Sequence, residues 1–351
     1  MKIDQSVFDE IVDRRGTNCQ KWDGMAAHSG VSPEDGIPMW VADMDFRPPA
    51  SVPRALQRMI DHGIFGYAHE DTFMREAVCR WMVERHGWEV DPGHIFSTDG
   101  LVNAIALCLD TYTEPGEGVV VFSPVYHAFG RVVRTAGRSL IECPLALVDG
   151  RYEMDFDRYD AQMTGRERIL LLCSPQNPGG RVWSRVELEE VAAFARRHDL
   201  LIVSDEIHHD LVLPGSPEHV PTALIDGVAD RLVTLTAPTK TFNLAGAHIG
   251  HVTIADRALR ERFAARQRAL ALSPGSIPPV IAEAAYSDEG AAWLDALRVY
   301  LDGNRRLFDA AIAEIPGLVS MPLEATYLAW VDFAGTGMDS AEFTERVERE
   351  A

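Results

Sequence analysis

The sequence lacks the features of several large protein classes. It has 33 lysine and arginine residues against 53 acidic ones, which gives a formal net charge of −20 over 351 residues. Nucleic acids and anionic membranes bind basic surfaces, so this balance argues against either as the main partner. The chain also has no run approaching the roughly 18 apolar residues that indicate a membrane-spanning helix.

Cysteine is scarce and unpatterned. The five cysteines include no Cys-x-x-Cys pair and stand at Cys19, Cys79, Cys108, Cys143 and Cys173. Their odd number and spacing predict neither a disulfide framework nor a zinc site. The first residues, MKIDQSVFDEIV, have no apolar core of signal-peptide length. We therefore expect a protein of the reducing cytoplasm.

What the chain does have is a regular alternation of short apolar segments with amphipathic ones. Strands are predicted at 95–97, 118–122, 139–144, 169–173, 200–204 and 232–235, and helices at 48–61, 103–112, 129–136 and 185–198. This pattern predicts an α/β fold with a mostly parallel central sheet covered by helices on both faces. In such sheets ligands bind beyond the carboxyl ends of the strands.

The pattern also predicts a division into three parts. Residues 1–46 form an N-terminal arm that belongs partly to a small domain, 47–280 form a large domain, and 281–351 form a smaller α+β domain. In the last part we expect a strand at 327–333 and a helix capped by Asp339 or Ser340. That helix has no stop signal, so we expect an incomplete domain in which Phe343 and Val347 lack much of their cover.

Lys240 is the first candidate for chemistry. It follows the apolar strand 232–235 and a proline-containing turn, and a glycine-punctuated loop comes after it. An ammonium group at the end of a buried strand loses hydration, so its pKa should fall. A desolvated lysine is a candidate nucleophile that forms a Schiff base with an aldehyde or ketone.

Asp205 is the second candidate, at the end of the apolar segment LLIVSD. A carboxylate there can hold a buried cation such as a protonated ring nitrogen, or it can cap a helix. The adjacent His208 and His209 suggest a metal, but neighbouring histidines rarely share one ion and no further ligand lies at suitable spacing. We therefore predict no metal site.

Three further segments follow predicted strands. Asn177, in the turn SPQNPGG, can donate its amide to a phenolic oxygen, although turns often contain asparagine. Gly100, Leu101 and Val102 begin a helix whose free N–H groups suit a phosphate. Tyr126 can stack on a planar ring or belong to the core.

Together the five segments describe one ligand. It is planar and phosphorylated, has a ring nitrogen that needs a carboxylate and an oxygen that needs a donor, and has an aldehyde for a lysine. Pyridoxal 5′-phosphate (PLP) has these features, and the lysine and aspartate are the protein groups it requires.

These motifs resemble those of fold-type I PLP enzymes of the class I/II aminotransferase superfamily. Within that superfamily the chain is similar to the MalY/PatB subfamily of cystathionine β-lyases, also called C–S lyases. The segments RRGTNCQKWD, PMWVADMDF, FGY and EATYLAWVDF carry the subfamily resemblance, and NPGG and SDEI occur across the superfamily.

The resemblance implies a role for each candidate. Lys240 would form the Schiff base and move protons, Asp205 would pair with the pyridinium nitrogen, and Asn177 would bind the 3-hydroxyl. Tyr126 would stack on the ring, and Gly100, Leu101 and Val102 would hold the phosphate. Tyr67, in FGY, would reach the phosphate of a neighbouring subunit's cofactor, which implies a homodimer with a shared active site.

Three departures from the subfamily pattern bear on binding. Ala237 replaces a phosphate-binding serine, and His248 replaces a phosphate-binding arginine, leaving a weaker, switchable cation. No segment after Phe333 resembles the one that supplies an arginine for the substrate carboxylate. We expect either that the chain is a fragment or that the carboxylate is bound in another way.

The activity implied is a carbon–sulfur β-lyase that converts cystathionine or another cysteine S-conjugate to a thiol, pyruvate and ammonia. The cofactor residues are equally consistent with an aminotransferase. A regulatory or partner-binding protein on the same scaffold is the third possibility, favoured by the missing carboxylate clamp.

Overall fold

A seven-stranded sheet forms the centre of the computed structural model, which describes residues 3–273 and 275–349. The strands are β1 (Ile95–Thr98), β2 (Gly118–Ser123), β3 (Ser139–Pro144), β4 (Ala146–Val148), β5 (Arg151–Glu153), β6 (Glu167–Cys173), β7 (Leu201–Asp205), β8 (Leu232–Thr236), β9 (Gly250–Thr253), β10 (Val319–Ser320) and β11 (Val331–Asp332). The central sheet has the order β1-β9-β8-β7-β6-β2-β3, and β4–β5 and β10–β11 are separate two-stranded pairs.

The helices alternate with the strands of the sheet over most of the chain. They are α1 (Gln20–Asp23), α2 (Met25–Ser29), α3 (Ser51–His62), α4 (Thr72–His86), α5 (Leu101–Tyr112), α6 (His127–Thr135), α7 (Phe156–Asp160), α8 (Arg185–Arg197), α9 (Pro238–Thr241), α10 (Arg257–Ala269), α11 (Ile277–Ala285), α12 (Asp288–Ala313) and α13 (Ser340–Arg349). Among the described residues, no helix has the length and apolar character needed to cross a membrane.

The direction of the strands places their carboxyl ends together. Strands β3, β2, β6, β7 and β8 pair in parallel. Strand β9 pairs antiparallel with both β8 and β1, so β1 runs in the same direction as β8. The predicted mostly parallel sheet is therefore confirmed, with one antiparallel strand inside it.

Alternate residues of each central strand pack on opposite faces of the sheet. Val119 and Val121 of β2 join a core cluster with α5, α6 and α10, whereas Val120 and Phe122 join a cluster with α7 and α8. Successive side chains of a strand point to opposite faces, so a strand covered on both sides must be apolar throughout. The prediction of helices on both faces is confirmed.

A third cluster packs beside the sheet and joins the two ends of the chain. Phe8 of the arm contacts Trp293 of α12, with ring centroids 5.5 Å apart. The same cluster contains buried residues of α3, α4 and α11. The predicted division at residues 46 and 280 has no independent test here and stays a prediction.

The C-terminal part corrects one prediction and confirms another. The strand predicted at 327–333 is limited to Val331–Asp332, because the backbone turns at Thr326 with φ +74° and β10 offers only two residues to pair with. The predicted helix is present with Asp339 as its cap, where the Glu342 N–H donates to Asp339 Oδ1. Residues 350 and 351 of that prediction lie outside the described residues.

The predicted lack of cover at the last helix is confirmed for only one of its two apolar residues. Phe343 is half-buried and stacks on Phe333 at 4.3 Å between ring centroids, whereas Val347 is 55% exposed. Whether this segment is well ordered stays a prediction.

His251 of β9 generates a prediction about acid stability. Its ring is fully buried, and neither nitrogen has a hydrogen-bond partner among the described residues. Burial lowers its pKa from 6.5 to about 3, against the opposing charge of Asp71 and with the help of His209 and Arg75. Between those pH values the unfolded chain binds a proton that the folded chain does not, so stability falls as the pH falls.

We expect the unfolding free energy of the His251→Phe variant to depend less on pH than that of the wild-type protein. Between pH 7 and 5 the wild-type protein should lose about 2 kcal/mol more of its unfolding free energy than the variant does, because one proton changes the slope by about 1.4 kcal/mol per pH unit. Urea unfolding at both pH values measures the difference. His62→Phe, at an exposed position, is the matched control. A variant whose pH dependence equals that of the wild type would contradict this account.

Candidate functional site

The sheet brings five of the predicted segments to one edge. Asp205 is the last residue of β7, and the other four segments follow β1, β2, β6 and β8. These strands all run in the same direction, so their carboxyl ends lie at the same edge of the sheet. Sites in open α/β sheets form at this edge. The sequence prediction that the candidates converge there agrees with the topology.

Lys240 lies on the short helix α9 with its amine turned toward the N-terminal arm. Its Nζ donates to the Ala42 carbonyl oxygen at 2.7 Å. Burial lowers the pKa of Lys240, against the opposite effect of the carboxylates of Asp43 and Asp205. The amine therefore loses its proton more readily than an ordinary lysine, as predicted, and its partner is a neutral carbonyl group.

Asp205 is buried at the end of β7 with few partners. Only 5% of the residue is exposed, and one of its oxygens accepts the Ile207 N–H at 3.1 Å. Burial raises the pKa of Asp205 to about 7, with a further contribution from Glu206. A carboxylate that is this buried and this sparsely hydrogen-bonded suits a cationic partner from outside the chain.

His208 is a neighbour of Lys240, a position that the sequence alone does not indicate. It is buried, its Nδ1 has no hydrogen-bond partner among the described residues, and its ring lies edge-on to Tyr327. Burial and the Lys240 charge lower its pKa to about 3, so the ring is neutral. We had weighed this histidine only as a metal ligand.

Tyr327 was also missed. Its hydroxyl donates to the Ala42 carbonyl oxygen at 3.1 Å, the same atom that receives Lys240. The sequence signal was present, because Ala42 and Tyr327 lie in the motifs PMWVADMDF and EATYLAWVDF. Both motifs carry the subfamily resemblance, and a strand is predicted over the second, but neither motif by itself indicates a contact near Lys240.

Asn177 and Tyr126 lie on two turns that are joined. Gln176, which is buried, donates its amide to the Pro124 carbonyl oxygen at 2.6 Å and accepts the Gly179 N–H at 2.6 Å. The turn after β6 is thereby fixed on the turn after β2. Burial raises the pKa of Tyr126, and the Asp205 carboxylate adds to this shift.

The start of α5 offers backbone donors, with one change from the prediction. Gly100 has φ +83°, and its N–H donates to the Thr98 carbonyl oxygen at 2.9 Å. Its amide is therefore occupied within the chain, and its contribution is the left-handed turn that begins the helix. The N–H groups of Leu101, Val102 and Asn103 have no backbone partner among the described residues and remain as donors.

Tyr67 and His248 occupy different surroundings. Tyr67 is fully exposed and lines a cavity of about 480 Å³ with Ser97 and Gln267. His248 is exposed at φ +47° and lines the same cleft as Lys240, whose volume is about 780 Å³. The structure therefore brings His248 to the lysine but leaves Tyr67 without contact to this chain's own Lys240 cleft.

The wall of the Lys240 cleft is the N-terminal arm, held by a charge network. Arg14 contacts Asp43 at 2.7 Å and Asp45 at 2.9 Å, and Lys21 contacts Asp45 at 2.7 Å. Trp22 Nε1 also donates to Asp45. Burial alone would raise the pKa of Asp45, but these donors outweigh it and lower the pKa. The motifs RRGTNCQKWD and PMWVADMDF are thus each other's partners.

Neither arginine that lines the cleft is free of acidic partners. Arg14 is paired as described above, and Arg47 is paired with Glu10 at 3.0 Å. A carboxylate entering the cleft would compete with these ion pairs. How this chain would bind a substrate carboxylate stays open between the two alternatives given above.

The chain is similar in sequence to proteins of one family. The sequence profile of the family described as aminotransferase class I and II matches residues 35–348. Cystathionine β-lyase PatB of Bacillus subtilis is 41% identical over 97% of this chain and 88% of its own length. Protein MalY of Escherichia coli is 32% identical over 95% of this chain and 85% of its own length.

The solved structures that resemble this chain include enzymes with a bound cofactor. Cystalysin from Treponema denticola, whose crystal structure contains pyridoxal 5′-phosphate, has a TM-score of 0.91 at 32% identity, covering 97% of this chain and 87% of cystalysin. The PLP-bound C–S lyase from Staphylococcus hominis has a TM-score of 0.87 at 30% identity, with the same coverage.

Asp205 predicts an unusual effect of mutation on stability. Its folded pKa of about 7 exceeds the usual 3.8, so the folded chain keeps a proton that the unfolded chain loses. Stability therefore falls as the pH rises between these values and stays low above them. In ligand-free protein, the wild type should lose unfolding free energy between pH 5 and pH 8, and Asp205→Asn should not. The stability of the variant relative to the wild type should therefore rise by about 2–4 kcal/mol over this range.

The measurement is urea unfolding of protein stripped of small molecules. Asp157→Asn on the exposed side of α7 is the control, and it should show no such gain. If the unfolding free energy of Asp205→Asn changes between the two pH values as much as that of the wild type does, the pKa of the Asp205 carboxyl group is not raised.

Proposed function

Because this chain belongs to the class I and II aminotransferase family, we propose that it is a PLP-dependent carbon–sulfur β-lyase. Its substrate would be cystathionine or another cysteine S-conjugate, and its products a thiol, pyruvate and ammonia. The observation that carries the proposal is the convergence of the Lys240 amine and the Asp205 carboxylate, both desolvated, at one edge of the sheet. Relatives named cystathionine β-lyase support the substrate class.

The residues present fit pyridoxal phosphate. The Asp205 carboxylate accepts a single N–H from the described chain, which leaves it able to bind the ring nitrogen. Lys240 would hold the aldehyde carbon, Asn177 the ring hydroxyl and Tyr126 the face of the ring. The phosphate would lie at the start of α5, against the N–H groups of Leu101 and Val102 after the turn at Gly100, with His248 as the nearby cation.

When bound, pyridoxal phosphate supplies an electron sink for the electrons left on the substrate Cα after deprotonation. This chain's own part begins with Lys240, whose lowered pKa makes a neutral amine available as the base for that proton. The Asp205 carboxylate would keep the ring nitrogen protonated. The arm segment around Ala42 lines the site on the side of the amine.

A homodimer is part of the proposal. Tyr67 makes little contact with its own chain, and its neighbours Ile64 and Phe65 are also largely exposed. Exposed apolar side chains in one loop indicate a surface that another protein covers. In a dimer, Tyr67 would be the residue that reaches a partner subunit's cofactor phosphate. A cytoplasmic location is proposed too, since all five cysteines are free thiols.

The division of the chain also remains part of the proposal. Residues 47–280 contain the sheet and every proposed cofactor ligand, and 281–351 contain the long helix α12 and the β10–β11 pair. We propose that the first unit binds the cofactor and that the second, together with the arm 1–46, forms the smaller domain.

The cofactor assignment predicts where a covalent label will appear. Borohydride reduction of the purified protein followed by peptide mass mapping should place one pyridoxyl group on Lys240, because that amine lies beside the proposed carboxylate and phosphate sites. Lys240→Ala should show no turnover, and Lys21→Ala, a change of the buried lysine within the arm, should still be labelled at Lys240. A label on another lysine would refute the site.

The activity assignment predicts the products. With cystathionine the protein should release pyruvate and ammonia in equal amounts, and addition of a keto acid should not be required. Asp205→Asn should lower kcat/KM by about two to three powers of ten, the size expected for losing a buried charge-assisted contact. Formation of a new keto acid at the expense of an added one would identify an aminotransferase instead. Cofactor absorbance that does not respond to any amino acid would identify a binding protein.

A further inference from the structure

A second buried carboxylate, Asp210, lies on the core side of Lys240 and has no part in the proposed chemistry. It is 4% exposed and accepts hydrogen bonds from three side chains. Trp81 Nε1 donates at 3.0 Å, His86 Nε2 lies at 2.8 Å, and Thr241 Oγ1 donates at 2.9 Å. Trp81 and His86 belong to α4, whereas Thr241 belongs to α9.

The neighbours of Asp210 keep its carboxylate ionised. Burial alone would raise its pKa, but His209, His86 and Thr241 outweigh burial and lower it. An ionised acceptor makes hydrogen bonds that are shorter and about twice as strong as neutral ones. Asp210 therefore binds α9 to α4 firmly, through a hydroxyl that is itself fully buried.

Thr241 is the residue next to Lys240, and the two side chains have different partners. Lys240 donates to Ala42 in the arm, whereas Thr241 donates to Asp210 in the core. Helix α9 has only four residues, too few to hold its own geometry in isolation. The position of the amine therefore depends on what holds the two sides of this turn.

We propose that Asp210 is a positioning residue, which fixes the Lys240 turn through the Thr241 hydroxyl and so sets where the amine stands relative to the reacting carbon. This inference rests on the proposed role of Lys240. A displacement of about 1 Å at a reacting group costs on the order of 100-fold in rate, so a hydrogen bond behind the lysine is enough to matter.

Asp210 and two histidines near it also form a candidate metal site. Ligand atoms of His86, His209 and Asp210 all lie within 4.8 Å of one another. However, Trp81 and His86 already donate to Oδ1 of Asp210, and Thr241 and Trp81 to Oδ2. Both oxygens therefore already accept donors from the chain, and this favours an anchor over a metal ligand.

The test compares two changes at Thr241 in the cofactor-loaded protein. Thr241→Val keeps the shape and removes the hydroxyl, whereas Thr241→Ser keeps the hydroxyl. We expect Thr241→Val to lower kcat 10- to 100-fold with KM changed less than threefold, and to shift the pH midpoint of the cofactor absorbance by at least half a unit. Thr241→Ser should stay within threefold of wild-type kcat, with an unchanged midpoint, and Asp210→Asn should behave like Thr241→Val.

Each other outcome overturns the inference. Equal kcat and equal midpoints for the Val and Ser variants mean that the hydroxyl does not position the lysine, and an equal fall in both means that packing alone matters. A stoichiometric metal in wild-type protein, with activity lost to a chelator, makes Asp210 a ligand instead. If borohydride labels Lys240 in the wild type, these results leave the proposed function intact. A label elsewhere overturns that function and this inference with it.

Discussion

Two buried ionisable groups of opposite sign, at one edge of a mostly parallel sheet, are the constraint on which the rest of this structure depends. Lys240 and Asp205 are both desolvated, and within the described part of the chain neither makes a hydrogen bond to the other or to another charged side chain. Burying charged groups so sparsely partnered lowers stability, and a fold retains such groups at sites of function. The strand directions place both groups together, because β7 and β8 are parallel neighbours with a fixed register.

The N-terminal arm follows from the same constraint. The Lys240 amine needs an acceptor, and the chain supplies one from Ala42, about 200 residues away in sequence. That carbonyl can serve only if the arm is fixed, which explains the ion pairs of Arg14 and Lys21 with Asp43 and Asp45. Asn243, three residues after the lysine, adds hydrogen bonds to Met44 and Phe46 from the other side. The arm is part of the site and not an appendage.

How much the sequence could predict depended on the range of the interactions involved. Strands such as β6 and β8 are mostly apolar, and their predicted bounds lie within two residues of the observed ones. Strand β9, with the short sequence GHVT, carries no such signal and owes its place to pairing with β1 and β8. The strand predicted at 327–333 was too long for the same reason, since its pairing with β10 decides its length. Lys240 and Asp205 were predicted because each ends a buried strand, but the proximity of His208 and Tyr327 to the lysine depends on contacts between distant segments.

The choice of partner for Lys240 has a consequence for reactivity. A carboxylate within hydrogen-bond distance would hold the amine charged, and breaking a buried ion pair costs about 3–5 kcal/mol. A single neutral carbonyl contributes only about 1 kcal/mol net, so the amine can leave it at little cost. Asp43 and Asp205 act on Lys240 from farther away and offset only part of its desolvation. The lysine is thus held in place by its turn, from the core side through Thr241, while its reactive end stays weakly bound. A fixed turn that carries a loosely held amine suits the proposed role of Lys240, in which the same group binds the cofactor and exchanges a proton.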